Sequence, residues 1–147
     1  MSTNYTIIKK AFSELSLTEL FEIVRARFDV FVGEQHILEP EYDDIDYRSI
    51  HFFIQDEGKV IAYARLFQGN APGQWHLGRM LTTRRKQGYG AAIVDAAKDY
   101  VHEQGGSSIM LHSQVQAQGF YEHQGFAVCS EVFEEAGISH VLMSVNL

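Results

Sequence analysis

Cysteine and proline are nearly missing from this chain of 147 residues, which has one Cys, Cys129, and two prolines, Pro40 and Pro72. A single thiol excludes an internal disulfide, and without cysteine pairs no structural zinc site can assemble. Positive charge is also in short supply: 12 Lys and Arg face 19 Asp and Glu, a net charge of −7. A globally basic nucleic-acid binder is thereby excluded, and no nucleic-acid partner is expected. No apolar run approaches the roughly 20 residues that cross a bilayer. The start MSTNYTIIKK lacks the charged-then-apolar order of a signal peptide, so a soluble cytoplasmic protein with no membrane partner is the expectation. Repeats, low-complexity tracts and Pro- or Ser-rich linkers are absent too. With 46% apolar or aromatic residues, one domain over residues 1–147 is expected.

What is present is periodic. Ser16 precedes Leu17, Leu20, Phe21, Val24, Phe28 and Phe31, whose spacing of three or four predicts an amphipathic helix with that stripe as its apolar face. Residues 33–47, GEQHILEPEYDDIDY, carry six acids and no Lys or Arg, and they have no clean period, which reads as an electronegative loop or short helical turns. IHFFIQ and KVIAYARLF, separated by Asp56-Glu57-Gly58, predict a hairpin in which Val60, Ala62, Ala64 and Leu66 share a face. The turn GNAPG leads to a third strand at WHLGRML. From about Tyr89 the pattern turns helical, with Ile93, Ala97, Tyr100 and Val101 inside, Asp95, Asp99 and Glu103 outside, and Gly105 as the stop. SSIMLH reads as a strand and 114–124 as a short helix. AVCSEVF and ISHVLMSV follow as strands around the turn Glu134-Glu135-Ala136-Gly137. A helix between WHLGRML and SSIMLH implies a right-handed parallel crossover, and the hairpins imply antiparallel pairs. The expected fold class is therefore mixed α/β, with a central, mostly antiparallel sheet flanked by helices.

The stretch RRKQGYGAAIV stands where a strand gives way to a helix. Gly88 and Gly90 permit a tight turn and let a ligand approach the amides that open the helix, a site suited to an anion. Between residues 58 and 94 lie Lys59, Arg65, Arg79, Arg84, Arg85 and Lys86, with no Asp or Glu. In a chain of net charge −7 this inversion points to phosphate or pyrophosphate. The GxxxxGK[ST] loop occurs nowhere, and GYGAAI supplies two of the three glycines of a dinucleotide fingerprint. Two glycines that merely close a tight turn are the plain alternative.

RKQGYG at 85–90 resembles the R/Q-x-x-G-x-G/A signature of GNAT-type N-acetyltransferases, and the order of elements around it is similar to theirs. QVQAQGFYEHQGF at 114–126 resembles the family's second stretch, in which an amide, an alanine and a tyrosine precede Gly-Phe. VFVGEQ at 30–35, EYDDID at 41–46 ahead of His51, and FEEAGISHVLM at 133–143 look like the ElaA-like branch, so the resemblance covers nearly the whole chain. There are departures: no Pro precedes the Arg, Lys86 replaces the usual Gly after it, and Gln114 stands where Asn is commoner.

The resemblance implies acetyl-CoA as cosubstrate and a small amine as acceptor. The pyrophosphate would lie on the loop Arg85, Lys86, Gln87, Gly88, Tyr89, Gly90 and Ala91. The pantetheine arm would pair with Met80, Leu81 and Thr82 where two parallel strands splay, with Gln114 nearby. Such an edge binds amide groups without demanding particular side chains. Tyr121 is the candidate acid for the departing thiolate, on one helical face with Gln114 and Ala117. Glu34, with Gln35 beside it, is the candidate base; His51, His112 and His140 are alternatives. Packing in the core is the plain alternative for Tyr121, and capping the helix end for Glu34. The acids Glu39, Glu41, Asp43, Asp44 and Asp46, with Tyr42, would draw in a cationic acceptor or simply face water. No histidines stand at HxxxH spacing, and no metal is expected. A noncatalytic acyl-CoA sensor is the competing function, a nucleotide- or RNA-binding domain a distant third. The final hairpin leaves monomer or homodimer open.

Overall fold

The computed structural model describes residues 5–147. After strand β1 (Ile8–Ala11) and a 3₁₀ turn, helix α1 (Leu17–Arg27) starts at Ser16, whose Oγ accepts the Glu19 N–H at 3.0 Å while the Glu19 carboxylate accepts the Ser16 N–H at 2.8 Å. This reciprocal cap satisfies two donors that a helix start leaves open, and Lys10 ties the same carboxylate to β1 at 3.0 Å. The helix runs on as a wider π-helical turn, Phe28–Glu34.

The buried face of α1 is not the expected stripe. Of that stripe Phe31 is buried as expected, but Leu17 is 88% exposed, Phe21 58% and Phe28 57%, and Ile23, Ala26, Arg27 and Val30 face the core with Phe31. Those five have the same helical spacing, but one of them is an arginine, so a reading by hydrophobicity selects the neighbouring row.

The sheet order is β1-β2-β3-β4-β5-β8-β6, with β7 also on β8. β2 (Ile50–Asp56) and β3 (Lys59–Gln68) form the expected hairpin, closed by Glu57 (φ 51°) and Gly58 (φ 80°). A bulge at Ile61 turns Val60 away from the face shared by Ala62, Ala64 and Leu66, correcting the simple alternation. β4 (Gln74–Thr82) pairs antiparallel with β3. The crossover helix α3 (Tyr89–Glu103) then buries Ile93, Val94, Ala97 and Val101 and leaves Asp95, Asp99 and Glu103 outside. β5 (Ser108–Gln114) lies parallel to β4 and antiparallel to β8 (Ile138–Asn146). The fold is thus mixed α/β, mostly antiparallel, with one parallel pair.

AVCSEVF does not form one strand. It makes two short pieces, β6 (Ala127–Val128) and β7 (Phe133–Glu135), because Ser130 Oγ accepts the Leu142 N–H at 2.9 Å and takes the place of a ladder bond. Between α1 and β2 a single helical turn, α2 (Ile45–Arg48), interrupts the acidic loop, and α4 (Gln118–His123) follows β5. One core packs α3 on the sheet through Phe52, Ala64, Leu66 and Leu111; the other packs α1 through Phe53, Tyr63 and Leu81.

Candidate active site

β4 and β5 are paired only at Gln74–Ser108, Trp75–Ile109 and His76–Met110, after which they part. Opposite that opening the β3–β4 ladder slips: Arg65 faces Gly78 and Tyr63 faces Leu81, so Ala64 stands against both Arg79 and Met80. Arg79 takes the left-handed φ of 52° in this bulge, and its Nε–H donates to the Glu41 carbonyl at 2.8 Å. Bulges of this kind re-aim backbone groups beside functional sites. Beyond the parting, the β5-facing edge of β4 pairs with no strand among the described residues, and it borders a cleft of about 1150 Å³ whose wall includes Met80, Leu81 and Thr82.

At the end of β4 the chain turns through Lys86 (φ 61°) to Gly88 (φ 80°), which caps α3 without any side-chain hydrogen bond. The first bond within the helix is from Ala92 N–H to the Gly88 carbonyl at 3.1 Å, which leaves the amides of Tyr89, Gly90 and Ala91 open to a ligand. Open amides and the positive end of the helix together favour an anion. Arg85, Lys86, Gln87, Gly88, Tyr89, Gly90 and Ala91 all line the cleft. A side chain at Gly90 would put its Cβ 3.2 Å from Phe120 Cζ of α4, close enough that the ring would have to yield by a few tenths of an ångström. Only part of the basic run gathers here: Arg84 pairs with Asp56 at 2.5 Å and Arg85 with Glu34 at 3.3 Å, whereas Arg65 and Arg79 turn to the acidic loop.

Gln114, Ala117 and Tyr121 all reach the cleft, but not from one helix: Gln114 ends β5, Val115–Ala117 is a 3₁₀ turn, and α4 begins at Gln118. The Gln114 amide donates to Gln35 Oε1 at 2.8 Å and accepts from Gln116 at 2.9 Å. Tyr121 is 8% exposed, held edge-on by Phe120 and Phe126 at 5.0 and 5.8 Å between centroids. Its hydroxyl has no hydrogen-bond partner among the described residues, and burial raises its pKa well above the ordinary phenol value, so it keeps its proton at physiological pH.

Glu34 does not line the cleft. Its carboxylate turns to the exposed Arg85, and Gln35 takes the place on the wall. Glu34 and Gln35 stand at the end of the wide turn Phe28–Glu34, which closes with Gln35 N–H bonding back to Val30 at 3.0 Å.

The acidic loop also differs from a free electrostatic lure. Arg27, 2% exposed, binds Glu41 and Asp46, and donates to the Tyr63 hydroxyl at 3.3 Å. Arg65, 3% exposed, holds Asp43 at 2.6 Å and Asp46 at 2.9 Å. The hydrogen bond from Arg65 holds the Asp43 carboxyl below its usual range. Burial works to raise Asp46, but the bonds and charges of Arg27 and Arg65 outweigh it and keep that group low as well. Glu41, Asp43 and Asp46 are thus each paired with arginine, and the loop serves as a wall of the cleft. Arg27, Arg65 and Arg79 were missed as functional partners because the acids they bind lie 14 to 38 residues away. Tyr42 is exposed and is not part of the lining; Glu39 is. His51 is withdrawn too: Nδ1 accepts from the Tyr63 hydroxyl at 2.6 Å, and Nε2 donates to the Asp46 carbonyl at 2.9 Å.

At the other end of the cleft His112 Nδ1 lies 2.8 Å from Glu135 Oε1, and His140 Nε2 lies 3.8 Å from Glu135 Oε2. Glu135, expected in the turn with Glu134, ends strand β7 instead. The signal was the two-residue turn Ala136-Gly137, which folds the end of β7 back over β8. Among the described residues no group of three or more His, Cys, Asp or Glu could hold a metal ion, and no helix is long and apolar enough to cross a membrane.

The chain resembles known proteins along its whole length. A UPF0039 protein of Schizosaccharomyces pombe is 36% identical over 99% of each chain. A Pseudomonas aeruginosa acyl-CoA N-acyltransferase superposes with a TM-score of 0.88 at 28% identity, covering 97% of this chain and 99% of that one. Escherichia coli ElaA superposes with a TM-score of 0.88 at 25% identity, covering 96% and 99%. The family model described as an acetyltransferase (GNAT) domain matches residues 14–147. A splayed parallel pair, a bulged strand beside it and an open helix start agree with that match, and the chain belongs to the GNAT acetyltransferase family, whose members are acyl-CoA-dependent acyltransferases.

Proposed function

We propose that this protein transfers the acetyl group of acetyl-CoA to the primary amine of a small cationic molecule. The observation that carries the reading is the meeting, in one cleft, of the unpaired edge of β4 with the open amides of α3. Met80, Leu81 and Thr82 offer backbone groups to the pantetheine amides. Gly88, Tyr89, Gly90 and Ala91 offer theirs to the pyrophosphate, with Arg85, Lys86 and Gln87 at the rim and Gln114 on the facing wall.

Acetyl-CoA, when bound, supplies an activated thioester. Backbone N–H groups in the bulge at Arg79–Met80, beside the opening between β4 and β5, would polarise its carbonyl as charge builds on the oxygen. Tyr121 carries a proton to the leaving sulfur from inside an apolar ring of Phe120 and Phe126. Glu39 and Glu135, which line the cleft without an arginine partner among the described residues, favour an acceptor that arrives as an ammonium ion.

The test is thiol release from acetyl-CoA across a panel of alkyl diamines, amino acids and arylalkylamines, run beside thermal denaturation with CoA. Release with a subset of amines and a rise in melting temperature are expected. Protection without release for any amine would overturn the catalytic reading, and absence of both would overturn the cosubstrate site.

A further inference from the structure

We propose that His112, held by Glu135, is the base that takes a proton from the acceptor ammonium; the inference rests on the acyl-transfer reading above. His112 stands on β5 two residues past Met110, the last residue paired with β4, so it enters the cleft just where the strands part. An ionised carboxylate can only accept, so at 2.8 Å Glu135 fixes the imidazole proton on Nδ1 and leaves Nε2 as the basic nitrogen. The ring is held edge-on by Phe133 at 5.4 Å, and Phe133 in turn stacks on His140 at 6.0 Å. Meanwhile 45% of the His112 side chain stays open to the cleft and solvent.

Glu34, His51 and His140 are each placed away from this role by their contacts. Glu34 faces Arg85, and His51 has both nitrogens bonded inside the fold. His140 donates Nδ1–H to the Ile138 carbonyl at 2.7 Å, and its side chain is only 8% exposed. His76, across the opening on β4, is stacked flat on Phe67 at 5.4 Å, and burial, with the charges of His112 and Arg48, lowers its affinity for a proton. The charged and titratable groups that face His112 are therefore Glu135 from β7, His140 from β8 and His76 from β4. Glu135 orients the His112 ring and presents its carboxylate to the incoming ammonium as well.

The protons balance. Nε2 of His112 takes one proton from the ammonium and later releases it to solvent. As the N–C bond forms and the C–S bond breaks, the Tyr121 proton goes to sulfur, and the second proton lost by nitrogen restores the phenol.

His112→Asn keeps an amide donor for Glu135 but has no basic nitrogen. Its kcat/KM for the amine should fall roughly 10²–10⁴-fold with the acidic limb of the pH profile removed, while CoA still protects it against heat. In His112→Ala, added imidazole should restore part of the rate. Heteronuclear NMR of the wild-type ring, which needs no acceptor, should show the neutral form protonated on Nδ1, and Glu135→Gln should disturb that state. Wild-type rate and pH profile in His112→Asn, or a neutral ring protonated on Nε2, overturns the dyad and leaves acyl transfer standing. A wild-type protein that neither binds CoA nor releases thiol overturns both.

Discussion

Replacing Gly90 by glutamate separates the stability of α3 from its service to a ligand. In the free protein the two effects of the substitution oppose one another. A Cβ at this position meets Phe120 Cζ at 3.2 Å and Thr82 Cγ2 at 3.6 Å, so the ring must yield by a few tenths of an ångström. Against that, leaving glycine gains up to about 1 kcal/mol of helix propensity. A negative charge in the first turn gains about 0.3–1 kcal/mol more from the helix dipole. The free variant should therefore melt close to the wild type. Its response to CoA should be entirely different, because the substitution adds a negative charge to the first turn, whose amides would receive pyrophosphate. A ligand at 100 times its Kd stabilises a protein by about 2.7 kcal/mol. In a chain of this size that raises the melting temperature by about 5–11 °C. The wild type should show that rise and Gly90→Glu almost none, with Gly90→Ala between them as the packing control. Differential scanning fluorimetry with and without CoA measures all three. A Gly90→Glu protein that is protected as well as the wild type refutes the placement of a diphosphate on α3.

Tyr121→Phe should keep both fold and CoA protection, since the hydroxyl has no partner among the described residues, while kcat for thiol release falls about 10²-fold or more; equal loss of binding and rate assigns the residue to packing. Arg27→Met takes the buried guanidinium away from Glu41 and Asp46, leaving Glu41 only Arg79 at 3.6 Å and Asp46 only Arg65 at 2.9 Å. It should cost up to about 3–5 kcal/mol in a denaturant titration, and a loss below about 1 kcal/mol refutes a structural role for the network. His51 is neutral in the fold, where burial lowers its pKa below 6.5. Because the unfolded chain takes up that proton first, stability should decline as pH falls below about 6.5. Asp43 and Asp46, also held low in the fold, should add a second decline below about pH 4. Denaturant midpoints that stay flat from pH 7 to 5 contradict the first part.

Much of the fold was legible because the relevant signals are local. The two hairpin turns, the α3 stripe and the turn into Gly88 each lie within a window of a few residues, and each forms where the pattern puts it. The errors share another origin. On α1 the core-facing row includes Arg27, and a buried arginine is invisible to any count of apolar residues. In AVCSEVF the break between β6 and β7 depends on Ser130 taking a backbone donor from Leu142, a partner 12 residues away.

The site divides along the same line. The proposed cosubstrate end is made of consecutive residues that line the cleft around the start of α3, so the glycine spacing and the basic run beside it point to it locally. The proposed acceptor end is made of side chains from β4, β5, β7 and β8 that meet only after the sheet has closed. Its charges cannot be summed along the chain either. The acids of 33–47 look like a free negative surface until Arg27, Arg65 and Arg79, which come from α1, β3 and β4, are seen to pair with three of them. That pairing has a consequence for chemistry. It pins the loop as a rigid wall, ties the Arg79 bulge to Glu41, and leaves Glu135 as the carboxylate that both faces the opening between β4 and β5 and holds an imidazole within it.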